Sequence, residues 1–389
     1  MNVTWNQQVV KKENKTLVLQ IIRNHEEISR ADIAQRSGLN KGTVSSLVAE
    51  LLEEQLVLEK GPGVSSGGRR PVMLTFNHAA GHSIGIDLGV NYIHAVLTDL
   101  SGTMIMEHSN AYTSSSIEQT MDIVKEHIRK LKESAPPTPY GITGIGIGVP
   151  GLIDKDSAVL LAPNLGWKNS SIRKEIEAAF DIPVIVENEA NAGAYGEKVF
   201  GSGKDIENLV YISSGIGIGT GIIINGELYK GVSGFSGEFG HMTIDVNGET
   251  CRCGNIGCWE LYASEQYLQR KNPTQLMIDD HFLDHLIDSA KQNDPKIIEL
   301  FEQTANYLGV GIVNIIHAMN PQQLIIGNRL SAAKQWMEPI IQEYVQKHAL
   351  TSHMNHIQIT FSTPSFPATA LGMAAFSFES FLRERMAII

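Results

Sequence analysis

Glu238-Phe239-Gly240-His241, nine residues, then Cys251-Arg252-Cys253-Gly254-Asn255-Ile256-Gly257-Cys258-Trp259-Glu260: this stretch decides how the chain is read. It holds all three cysteines of the protein. One histidine and three closely spaced cysteines form a Cys₃His set, a common composition for structural zinc. Thiolate ligands favour zinc over magnesium or calcium. Gly254 and Gly257 let the chain turn back so that the third sulfur meets the first two. Three unconnected core cysteines would not cluster so closely. A disulfide framework does not fit an odd cysteine count with no secretory signal before it. The expected cofactor is therefore one structural Zn²⁺, held by His241, Cys251, Cys253 and Cys258. Glu238 and Glu260 flank these ligands. Carboxylates accept hydrogen bonds from neutral hydroxyls, so two of them converging with an imidazole suit a polyol such as a sugar.

The pattern E-x-G-H followed by C-x-C-G-x-x-G-C-x-E resembles the signature of the ROK family (repressors, open reading frames, kinases). That family contains bacterial sugar kinases and sugar-sensing repressors. The resemblance implies that Glu238, His241 and Glu260 bind sugar and that His241 also binds zinc. It further implies that residues 81–389 form a two-lobed, actin-like (ribonuclease-H-like) sugar kinase fold with the sugar in the cleft and the zinc motif at 241–258.

Composition agrees with a multidomain α/β protein. The 389 residues are 42% hydrophobic and carry a net charge of −11. No apolar run is long enough to span a bilayer, and Met1–Trp5 opens no signal peptide. A cytoplasmic protein without membrane contact is expected. The charge is uneven. Residues 1–80 hold ten Lys and Arg against eight Asp and Glu, whereas the remainder holds 21 against 34. A near-neutral head on an acidic body is compatible with local DNA contact.

Within 16–60 the pattern predicts three short helices. Val18, Ile21 and Ile22 give the first apolar stripe. Ser29-Arg30-Ala31-Asp32 opens the second as a capping box and Gly38 stops it. Asn40 caps a third, with Val44, Leu47, Val48, Leu51 and Leu52 on one face. The tight Gly38-Leu39-Asn40 joint predicts a helix-turn-helix. Asn40, Lys41, Thr43, Ser45 and Ser46 on its exposed face can reach base edges and phosphates. Two strand-like runs follow, Leu56–Glu59 and Val72–Phe76. Between them a glycine-rich tip ends in Arg69 and Arg70, which suit a phosphate or narrow minor groove. Residues 1–80 thus predict a winged helix-turn-helix that binds operator DNA, as in the repressors of the family.

From Ser83 the texture becomes α/β. Strands are expected at 84–89, 93–99, 142–149, 184–187, 209–213 and 323–327. Helices are expected near 117–133, from Ala190, and over much of 262–319. No internal repeat is visible. Gly215–Gly221 could approach a phosphate or shape the hinge between the lobes.

Whether the body is a kinase turns on Glu187-Asn188-Glu189-Ala190-Asn191. Kinases of the family carry an E-N-D-A-N-like pattern whose aspartate is the base; Glu189 stands there, one methylene longer. A base must sit within hydrogen-bond reach of its proton. The first phosphate loop, Asp87-Leu88-Gly89-Val90-Asn91, and Gly327-Asn328-Arg329 also depart from the kinase pattern. Two functions remain: a sugar-responsive repressor with no catalytic residue, or a glucokinase-like sugar kinase with a DNA-binding head. The three departures favour the first. Within the family the resemblance is to repressors that answer to xylose, and it covers nearly the whole chain. It implies a homodimer or higher homo-oligomer. Asn164, Asn188, Glu189, Glu238, His241 and Glu260 would form the ring that holds the sugar hydroxyls. The competing reading of Glu189 is a cap on the helix at Ala190.

Overall fold

The structure, a computed structural model, describes residues 7–62, 70–112, 116–154, 156–272 and 281–386. The head begins with α1 (Gln7–Arg23), followed by β1 (Ile28–Ser29), α2 (Arg30–Ser37), α3 (Lys41–Glu53), β2 (Val57–Pro62) and β3 (Val72–Phe76). The caps read from the sequence are made. Ser29 Oγ accepts from the Asp32 N–H at 3.2 Å and donates to Asp32 Oδ2 at 2.7 Å. Gly38 ends α2 with φ +70°, a backbone angle that costs glycine nothing. Asn40 Oδ1 accepts from the Thr43 N–H at 2.8 Å. Val44, Leu47, Val48 and Leu51 are buried against Val18, Leu19, Ile22 and Ile33.

Two features of the head differ from expectation. α1 starts at Gln7 and not near 16, because its polar first turns are held from the side: Lys11 pairs with Glu50 of α3 at 2.6 Å and Lys15 with Glu54, the residue that caps α3, at 2.5 Å. The two-residue β1 adds to the β2–β3 hairpin, with Ile28 opposite Leu74. It is too short to leave an alternating pattern. The wing tip and Arg69 lie outside the described residues.

The body holds two five-stranded sheets. The first lobe contains β4 (His82–Leu88), β5 (Tyr92–Asp99), β6 (Met104–Ala111), α4 (Ile117–Ser134) and β7 (Ile142–Val149). A small antiparallel sheet follows, of β8 (Leu152–Ile153), β9 (Val159–Ala162) and β10 (Trp167–Ser170). α5 (Ile172–Phe180), β11 (Val184–Asn188) and α6 (Glu189–Val199) close the lobe. The second lobe contains β12 (Leu209–Ser214), β13 (Ile218–Ile224), β14 (Glu227–Leu228), α7 (Glu260–Ala263), α8 (Glu265–Lys271), α9 (Phe282–Lys291) and α10 (Pro295–Met319). It ends with β15 (Gln323–Gly327), α11 (Lys334–His348), α12 (Thr351–Met354), β16 (Gln358–Phe361) and α13 (Ala368–Met386).

The strand orders are β6-β5-β4-β7-β11 and β14-β13-β12-β15-β16. In each, three antiparallel strands precede two that run parallel to the first. The repeat absent from the sequence is therefore present in the topology. After its fifth strand each lobe sends a helix to the other: α6 packs on β12 and β13, α13 on β4 and β7, and the two helices pack on each other. They meet backbone to backbone. A Cβ on Gly372 would lie 1.9 Å from the Ala192 carbonyl oxygen, and one on Gly196 2.0 Å from that of Ala368.

α13 also carries the head. Phe378 is buried in the head's core. Arg23 lies over its ring at 5.1 Å and stands 3.6 Å from Glu379. The Tyr140 hydroxyl donates to the Glu54 carbonyl at 2.5 Å.

Candidate functional site

Between the lobes lies a cleft of about 670 Å³. All six residues expected to hold sugar line it. Asn164 sits in the turn between β9 and β10, Asn188 ends β11, and Glu189 opens α6. Glu238 and His241 bracket a short 3₁₀ turn, and Glu260 opens α7. His241 Nε2 lies 3.9 Å from Glu238 Oε2, and its Nδ1 lies 3.4 Å from Glu260 Oε1. Asn188 also bonds to the protein itself. Its Oδ1 accepts from the N–H groups of Ala190 and Asn191 at 2.9 and 3.1 Å, and its Nδ2 donates to the Gly151 carbonyl at 3.0 Å. The helix is therefore capped by Asn188, and Glu189 is not its cap. Glu189 Oε2 is buried without a hydrogen-bond partner.

Within the glycine run, Gly219 and Gly221 serve packing. A Cβ on Gly219 would meet Ala190 Cβ and Glu189 Oε1, both at 2.9 Å, and one on Gly221 would meet the Ala190 carbonyl at 2.3 Å. Their absence of side chains lets β13 lie against the first turn of α6. Gly215 and Gly217 line the cleft.

His241, Cys251, Cys253 and Cys258 bring their ligand atoms within 4.8 Å of one another. Cys253 Sγ and Cys258 Sγ are 3.7 Å apart, and Cys251 Sγ and His241 Nδ1 are 3.8 Å apart. A zinc–sulfur bond of about 2.3 Å gives a tetrahedral edge of about 3.8 Å, so the four side chains fit a zinc ion. The Cys251 thiol also donates to Glu260 Oε1 at 3.1 Å. The ligands thus abut the sugar-side carboxylate directly.

At the opposite end of the cleft, Tyr92, Asp87 and Asn328 bridge the two lobes. The Tyr92 hydroxyl donates to Asp87 Oδ2 at 2.9 Å and reaches Asn328 Oδ1 of the other lobe at 3.5 Å. Asn328 Nδ2 in turn donates to Ser213 Oγ at 2.9 Å. The Tyr92 ring lies over Gly89, where a Cβ would approach it to 2.2 Å. Arg329 is turned to the buried Glu265, its Nε 2.8 Å from Oε1. Of Tyr92 and Asn328, which bridge the lobes here, only Asn328 stands in a stretch singled out from the sequence. The contact between them spans 236 residues and has no local signature. Burial raises Asp87 to about 6, against the pull of the Tyr92 hydrogen bond and His94. Burial, with the charges of Asp87 and Glu238 adding, raises Glu189 to about 8; the N–H groups of Glu189 and Ala190 oppose this.

In the head, Asn40, Lys41, Ser45, Ser46 and Arg70 are exposed and Thr43 is half-buried. Asn40 keeps its amide nitrogen free of the cap bond, which uses Oδ1.

A helix-turn-helix with a hairpin, set on a two-lobed body whose cleft gathers carboxylates at one end, is the build of a ligand-responsive transcriptional regulator. The chain belongs to the ROK family, whose model matches residues 83–379. The MarR family model matches residues 12–59. The chain is 46% identical to the xylose repressor of Bacillus spizizenii, over 97% of this chain and 98% of that one. It is 40% identical to the xylose repressor of Caldicellulosiruptor bescii, over 95% and 96%. Among solved structures it resembles a ROK family transcriptional regulator described as a homolog of the Escherichia coli MLC protein, with TM-score 0.79 and 27% identity over 97% and 99% of the two chains. It also resembles a ROK family glucokinase from Streptomyces griseus in complex with glucose and AMPPNP, with TM-score 0.69 and 30% identity. That match covers 76% of this chain and 99% of the glucokinase. The chain is a sugar-responsive repressor. Among the described residues, no helix is long and apolar enough to cross a membrane.

Proposed function

We propose that this repressor silences a xylose-use operon and leaves its operator when xylose enters the cleft. One observation carries the reading: Glu189, at the position of the family's catalytic base, offers a buried, unpartnered carboxyl oxygen in a cleft whose two lobes are bridged by Tyr92, Asp87 and Asn328. It can hold a hydroxyl. Asn164, Glu238, His241 and Glu260 complete the ring, with Asn188 setting the first turn of α6 from behind. The names of the relatives support xylose as the ligand.

Zinc, when bound by His241, Cys251, Cys253 and Cys258, would fix His241 Nδ1 among the thiols and leave Nε2 facing Glu238 and the sugar. The protein would act as a homodimer or a higher homo-oligomer. A symmetric dimer reads two half-sites, with Asn40, Lys41, Thr43, Ser45 and Ser46 on each recognition helix and Arg69 and Arg70 on each wing. Release requires that xylose bind the DNA-free state more tightly. A swing from 1:99 to 99:1 takes about 5.5 kcal/mol of differential affinity, and operator must weaken xylose binding by the same factor.

The test is Glu189→Ala, followed by calorimetry with xylose and by operator binding. Xylose affinity should fall about 100-fold, the loss of a strong hydrogen bond to a buried group. Operator affinity should stay at the parent value and become insensitive to xylose. If the variant binds xylose as tightly as the parent does, Glu189 is not a sensing residue. If saturating xylose leaves the parent on its operator, the inducer role is wrong.

A further inference from the structure

Arg252, between two zinc ligands, makes a contact that neither the motif nor the comparisons assign. Its Nη1 donates across the cleft mouth to Asn164 Oδ1 at 3.3 Å. Arg252 belongs to the second lobe's metal loop; Asn164 belongs to the β9–β10 turn of the first. The amide is thereby oriented. With Oδ1 turned to the guanidinium, Asn164 Nδ2 points inward. A Cβ on Gly217 would find Glu260 Oε2 at 2.8 Å and Asn164 Nδ2 at 3.6 Å. The nitrogen and the carboxylate therefore face the same small volume.

This matters for what the cleft can bind. Glu238 and Glu260 present carboxylate oxygens that only accept when ionised. Every sugar hydroxyl also carries an oxygen that needs a donor. An amide free to rotate would present its oxygen to that volume as readily as its nitrogen, and a further acceptor beside Glu260 would repel a hydroxyl oxygen. A guanidinium has five N–H donors and no acceptor, so it can hold only the amide oxygen.

We propose that Arg252 is a positioning residue for the sugar: it locks the Asn164 side chain as a donor and bridges the two lobes at the cleft mouth. This rests on the reading of the cleft as a xylose site. Arg252 sits in the metal loop, so the ion's seat and the first lobe's sugar contact are joined by one side chain.

The experiment is a double-mutant cycle on the full-length, zinc-loaded protein: parent, Arg252→Ala, Asn164→Ala and the double variant, each titrated calorimetrically with xylose. Zinc content is measured in all four. Arg252→Ala should weaken xylose about tenfold, the worth of one oriented hydrogen bond, with one zinc per chain retained. In the Asn164→Ala background the same change should have no further effect, because the amide it orients is gone. Parent-like affinity in Arg252→Ala overturns the proposal. So does an undiminished tenfold loss in the double variant, which would mark a general effect on the metal loop. Loss of zinc from Arg252→Ala would also overturn it, since the residue would then serve the ion. Failure of the parent to bind xylose would overturn the xylose reading itself, a result separate from the other three.

Discussion

Glu189 carries an electrostatic burden that can be measured. Its carboxyl is raised from an ordinary 4.5 to about 8, first by burial and then by the nearby Asp87. A carboxyl whose folded value is raised binds its proton more tightly in the native state. The native state is therefore penalised as pH rises from 4.5, and fully so above 8. Glu189→Gln keeps the size and removes the charge. It should raise the melting temperature over the parent at pH 8, with the gain shrinking towards nothing near pH 4.5. Thermal melts across that range check this, and an equal gain at both ends would show that the charge is not the cause. Tyr92 is the other telling residue. Its hydroxyl ties a first-lobe aspartate to a second-lobe asparagine.

Two elements dominate the molecule's behaviour. The loop from His241 to Cys258 has little regular structure of its own, with isolated bridges only at Thr243–Cys258 and Thr250–Ile256. Turn hydrogen bonds hold it, such as the Ile244 N–H to the Gly257 carbonyl and the Gly257 N–H to the Glu249 carbonyl, both at 2.8 Å, together with the four clustered side chains. Cys253→Ser should lower zinc below one per chain in elemental analysis. It should weaken the response to xylose before it weakens operator binding, because all four ligands lie beyond residue 80. Loss of both together would place the metal in the head's support. The second element is the α6–α13 pair. Gly372→Ala would drive a methyl group to 1.9 Å from a carbonyl oxygen, and backbone cannot yield as a side chain can. Overpacking of this kind costs about 3 kcal/mol, read as a lower midpoint in urea unfolding. The metal loop and the capped helices of the head were legible in the sequence because their partners lie a few residues apart. The helix pair was not: Gly196 and Gly372 meet only after the chain has built both sheets. The same holds for Arg252 and Asn164, which face each other from different lobes.

On the scale of the whole molecule, the acidic body repels DNA and only the head can meet it. Operator affinity should fall steeply with salt. Replacing both Lys41 and Arg70 by Ala should reduce the slope of log K against log salt by about 2, one for each phosphate that is no longer neutralised. Fluorescence anisotropy at several salt concentrations measures it. An unchanged slope would remove these two side chains from the DNA-facing surface. The doubled topology, hidden at the level of residues, also becomes visible on this scale. Its two crossing helices join the cleft to the head, since α6 starts at Glu189 and α13 carries Phe378 and Glu379 beneath Arg23.

That last arrangement has a mechanical consequence. At 1.5 Å per residue, the stretch of α13 from Ala368, against Gly196, to Phe378 in the head's core makes an arm about 15 Å long. A turn of about 5° at the end pinned to α6 would carry Phe378 about 1.3 Å, close to the rise of one helical residue. If the protein acts as a dimer, movement at the cleft would be geared through this arm to two DNA-reading heads and could set them out of step with their half-sites. The stiffness that makes the gearing efficient is the missing pair of methyl groups at Gly196 and Gly372.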